Sequence, residues 1–71
     1  MPAEICVLED DDDDRGTETV HVRIAGRCQA LDVERSGKVR KYVDGKVRRG
    51  EVWLNQNGMV QAIAISGEHF N

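Results

Sequence analysis

The segment Thr19-Val20-His21-Val22-Arg23-Ile24 (TVHVRI, residues 19–24) decides the fold class. Val20, Val22 and Ile24 alternate with Thr19, His21 and Arg23, which is the period of a half-buried strand. Working outward, the apolar spacing elsewhere is also mostly two. Strands are expected near 4–9, 18–24, 28–34, 51–55 and 59–66. In CQALDV, Cys28/Ala30 and Leu31/Val33 fall on opposite parities, so a bulge or a two-sided strand is expected there. In EVWLN, Val52 and Leu54 share one face and Trp53 takes the other. That leaves Trp53 either outward beside His21 or Arg23, or packed under a terminus or the basic connector. MVQAIAIS is apolar on both parities, as in a strand covered on both sides or one closing a barrel.

Turn chemistry separates these runs. Ala25-Gly26-Arg27, Ser36-Gly37, Asp44-Gly45 and Asn57-Gly58 put glycine where a tight turn needs positive φ. Asn55-Gln56-Asn57-Gly58, between two apolar runs, reads as a hairpin. Five strands in so short a chain predict a small all-β barrel, closed or nearly closed, because an open sheet exposes its edges. An oligonucleotide-binding (OB) barrel fits, with an SH3-like barrel as the alternative. Residues 36–50 form either hairpins or a helical turn.

The chain has 71 residues, which makes 1–71 a single domain. A chain this small buries only about 60% of the surface its unfolded form exposes, so a partner-binding surface is easier to build than a deep pocket. Two cysteines, Cys6 and Cys28, do not make a disulfide framework. The N-terminus lacks the basic start and long apolar run of a secretory signal, and no segment approaches the ~20 apolar residues of a membrane span. A soluble cytoplasmic protein with free thiols is expected.

Charge is partitioned along the chain. The formal net charge is -3, yet Glu9 to Asp14 supplies six consecutive acids, so the remainder is mildly basic. That run is expected to be a solvated acidic loop at 9–14. Seven of the ten cationic residues lie in a basic connector at 35–50: Arg35, Lys38, Arg40, Lys41, Lys46, Arg48 and Arg49.

The string Ser36-Gly37-Lys38-Val39-Arg40-Lys41, followed by Gly50-Glu51-Val52-Trp53-Leu54, resembles the S1-like OB barrel of translation initiation factor one and its archaeal and eukaryotic relatives. That family has a similar Gly-Lys-x-Arg-Lys run and then a Gly-acidic pair that opens its fourth strand. The resemblance implies an RNA-binding role in translation, with the small ribosomal subunit as partner. Three features depart from the family: the acidic run in the first loop, the extra Asp44-Gly45 turn, and the non-basic C-terminus SGEHFN.

Cations gathered on one surface displace counterions from a phosphate backbone, giving affinity that weakens steeply with salt. RNA or single-stranded nucleic acid is therefore the expected partner. Lys38, Arg40, Lys41, Lys46, Arg48 and Arg49 are expected to meet phosphates, while Arg23, Tyr42 and Trp53 offer stacking or base-edge contacts. The competing expectation is a non-enzymatic protein-interaction module, such as a phage or plasmid accessory protein. Its acidic loop, or an exposed edge strand, would engage a basic protein surface. No membrane partner, cofactor or metal is expected, because Cys6, His21, Cys28 and His69 lack any Cys-x-x-Cys or His-x-x-x-His pairing. Asp32 and Glu34 read as a strand's solvent face, and no nucleophile–base pattern points to an enzyme.

Overall fold

A computed structural model describes residues 1–9 and 16–71. The expected acidic loop, past Glu9, falls outside the described residues. The elements are β1 (Pro2–Leu8), β2 (Thr17–Ile24), β3 (Arg27–Glu34), α1 (Gly37–Arg40), β4 (Val47–Leu54), β5 (Val60–Ile65) and β6 (Glu68–Phe70). All pairings are antiparallel, in the order β3-β2-β1-β4-β5-β6. The strands curl through 222° into a half-barrel. The all-β class thus holds, with six strands among the described residues instead of five and an open side instead of a closed or nearly closed barrel.

Alternation places the core. Val20 and Val22 of β2, Ile5 and Val7 of β1, Val52 of β4 and Ile63 and Ile65 of β5 are all fully buried. Each such side chain contributes roughly 1.5–3 kcal/mol relative to exposure, which makes this inner row the main stabilising feature. The expected bulge in β3 is absent, since the β2–β3 register runs unbroken from Thr17↔Glu34 to Ile24↔Arg27. Leu31 and Val33 face inward, and Cys28 and Ala30 face out. The two-residue turn Ala25-Gly26, at φ 50° and 81°, fixes that register. The irregularity lies between Trp53 and Leu54 instead.

Among the described residues, a side chain bridges the open side. The Gln29 amide of β3 donates to the Gly58 carbonyl at 2.9 Å and accepts from the Val60 amide at 2.9 Å. A side chain thereby links β3 to the start of β5 in place of a backbone ladder.

The connector divides into three parts. Ser36 caps α1, its hydroxyl accepting from the Val39 amide. Asp44 Oδ1 then accepts from the Lys46 amide across a turn in which Gly45 adopts φ 74°. Finally β4 begins at Val47, earlier than the expected residue 51, so Arg48 and Arg49 are strand residues. Gly50 lies within β4, not at its start. A Cβ there would sit 2.4 Å from the Ala64 carbonyl oxygen, and only glycine tolerates that approach.

Candidate functional site

The basic connector folds across one end of the half-barrel. Val39 of α1 is fully buried, and Tyr42 packs edge-on against Phe70 with ring centroids 6.2 Å apart. Tyr42 therefore belongs to the core and presents little of its ring to solvent. Lys41 Nζ and Arg48 Cζ lie 5.4 and 5.0 Å from its ring centroid. Cations, not solvent, flank that ring.

Four of the seven connector cations are paired with carboxylates of the fold itself. Glu18, on the inward row of β2 and fully buried, accepts from Arg35 Nε and, at 3.0 Å, from Arg40 Nη1. Arg40 also lies 3.5 Å from Glu9. Lys41 pairs with Glu68, which accepts from the Tyr42 hydroxyl as well, at 3.4 Å. Arg48 grips Asp44 through two hydrogen bonds of 2.9 and 2.6 Å, the bidentate geometry that suits guanidinium to carboxylate.

These contacts set the acidity of the three carboxyls. Burial pushes the Glu18 carboxyl up, but the hydrogen bonds and charges of Arg35 and Arg40 outweigh it and hold the group below its ordinary value. The bond from Lys41 likewise lowers Glu68 against its partial burial, and the bidentate Arg48 lowers Asp44 far below the usual carboxylate range.

Lys38, Lys46 and Arg49 make no ion pair with the described residues. They sit on three different elements: the helix, the turn and the outer face of β4. Arg49 and Arg23 lie on either side of Glu4, each directly opposite it across a strand pair. Trp53 does face outward and is 42% exposed. Its neighbour, however, is His69 of β6, with ring centroids 4.9 Å apart, and not His21 or Arg23. The expected site residues are thus spread over one end of the half-barrel and two separate parts of its outer face.

Cys6 stands opposite His21 on the outer face of β1 and β2, and Cys28 lies opposite Arg23 on β3. Two strand spacings of about 4.8 Å separate the cysteines, too far for a disulfide. Among the described residues no group of three or more His, Cys, Asp or Glu side chains is placed to hold a metal ion. No described helix is long and apolar enough to cross a membrane.

Sequence reasoning missed Glu18, although a signal was present. Glu18 shares the parity of Val20, Val22 and Ile24, so it had to point inward and needed a buried cationic partner. No protein-family model matches the chain, and comparison with curated proteins and with solved structures yields no match.

Proposed function

We propose that this protein is a non-enzymatic interaction module that docks on a basic protein surface. One observation carries the reading: Glu18, Glu68 and Asp44 hold Arg35, Arg40, Lys41 and Arg48 within the fold. Phosphate binding draws on several convergent, unpaired cations. Here the three connector cations that have no ion pair among the described residues stand apart, and the overall charge is anionic because of Glu9 to Asp14. An acidic protein of this kind draws a cationic partner by complementary potential.

Nucleic-acid binding is the second reading. A short helix between β3 and β4 lies where an OB-like barrel often carries one, and Trp53, Arg23 and Arg49 are exposed. In an OB barrel, however, nucleic acid meets the face of the second and third strands and the adjoining loops. That face presents His21, Arg23, Cys28, Ala30 and Asp32, with the acidic run in the preceding loop. Among the described residues of that face, Arg23 is accompanied by Asp32 and Glu34.

The test is binding of a labelled Arg/Lys-rich peptide by anisotropy, with the intact protein and with Asp10–Asp14 deleted. Saturable binding that the deletion weakens at least tenfold is expected. Absence of peptide binding by the intact protein would reject the proposal.

A further inference from the structure

The outer face of β4, β5 and β6 holds a feature that the charge argument does not use. Trp53 stands opposite Ala62 across β4–β5, Glu51 stands opposite Ala64 in the same pair, and Ala64 stands opposite His69 across β5–β6. Two alanines in the middle strand give the indole a low floor, and it leans across them to reach His69. Ala62, directly opposite Trp53, is buried, in keeping with the doubly apolar pattern of residues 59–66. Covering Ala62 still leaves Trp53 substantially exposed. A shallow groove on the other side of Glu51 is bounded by Pro2, Arg49, Glu51, Ala64 and Ser66.

We infer that Trp53, His69 and Glu51 form the seat for one arginine or lysine side chain of a partner, an inference that rests on the basic-partner reading above. A cation is attracted to the face of an indole, the strongest of the aromatic acceptors. Glu51 supplies the carboxylate for the same cation. Its side chain is 57% exposed, and its present partner is the Met1 ammonium at 3.2 Å, a solvent-exposed pair of the weak, exchangeable kind. Ala64 leaves room for the aliphatic stem of a lysine or arginine to lie against the sheet. Phosphate is the poorer fit, since an acid stands next to the indole in its own strand and Arg49 is four residues away.

Trp53 is the chain's one tryptophan, so its indole N–H resonance reports this seat alone. Titrating the intact protein with the Arg/Lys-rich peptide shifts that resonance. Trp53→Ala and Glu51→Gln each weaken peptide binding about 2- to 5-fold, the range of an exposed cation–π contact, whereas Glu34→Gln on β3 does not. Thermal melts establish that each variant folds, and Glu51→Gln carries the test if Trp53→Ala does not fold. Peptide binding with an unmoved Trp53 resonance, or with wild-type affinity in folded Glu51→Gln, overturns the seat and leaves the basic-partner reading standing. If the peptide does not bind at all, that reading falls, and N-acetylarginine amide at millimolar concentration decides the seat. A Trp53 shift in the wild type that is lost in Glu51→Gln supports it, and no shift overturns it.

Discussion

Arg40 Nη1 reaches 3.0 Å to Oε1 of Glu18, whose side chain has no solvent exposure. The two residues are 22 positions apart, and the bond ties α1 to the start of β2. With Arg35 on the same oxygen, Glu18 anchors the basic connector to the sheet. Removing one partner of a buried pair leaves the other without compensation. Arg35 and Arg40 are partly exposed, so water recovers some of the loss. Glu18→Gln is expected to cost about 2 kcal/mol and to lower the melting temperature by roughly 8–16 °C.

The same residue sets an acid limit. Its folded pKa lies below the unfolded value of 4.5, so its contribution is present above that value and is lost as pH falls through the folded pKa. Glu68 and Asp44 are shifted in the same direction. Wild-type stability should therefore drop below about pH 4.5, and Glu18→Gln should show a shallower drop. Melts between neutral pH and pH 3 measure both, and parallel curves would count against the Glu18 anchor.

Gly50 is needed for packing, not for backbone freedom. An added Cβ would lie 2.4 Å from the Ala64 carbonyl oxygen and 2.7 Å from Ile5 Cδ1. The Ile5 methyl can rotate, but the carbonyl belongs to the β4–β5 ladder and cannot move alone. Gly50→Ala should cost about 3 kcal/mol, at the upper end for overpacking, read as a lower denaturant midpoint. A loss below about 1 kcal/mol would show that the two strands separate freely.

Ala25 opens the β2–β3 turn at φ 50°, a left-handed conformation that costs an L-residue about 1–2 kcal/mol. Asparagine adopts it more readily and favours the first central position of this turn. Ala25→Asn should raise stability by about 0.5–1 kcal/mol, visible as a higher melting temperature. An unchanged or lower value would mean that the turn is not of this type.

Strand alternation made much of the fold legible. The positions of Val20 and Val22 sufficed for β2, Val52 marked only the second half of β4, and Asn55-Gln56-Asn57-Gly58 marked its hairpin correctly, with Gly58 N–H donating to the Asn55 carbonyl at 3.0 Å. The short elements were less visible. A four-residue helix shows no period, and β6 is three residues long. Its signal was the Ser66-Gly67 turn followed by Phe70, which a two-residue hairpin sets opposite Ile63. The pairs Glu18–Arg40 and Lys41–Glu68 join residues brought together only by sheet order, so local charge counting could not show them. Arg48–Asp44, four residues apart, was within local reach.

The central claim is that carboxylates of the fold hold the connector's cations and leave no convergent phosphate-binding patch. Anisotropy with a mixed-sequence single-stranded RNA, at about 50 and 200 mM salt, tests it most directly in the wild type and in an Arg40/Lys41/Arg48 triple-alanine variant confirmed to be folded. Weak binding, alike in both proteins, is the predicted result. Tight wild-type binding with a log–log salt slope of roughly -3 to -5, lost in the variant, would contradict it.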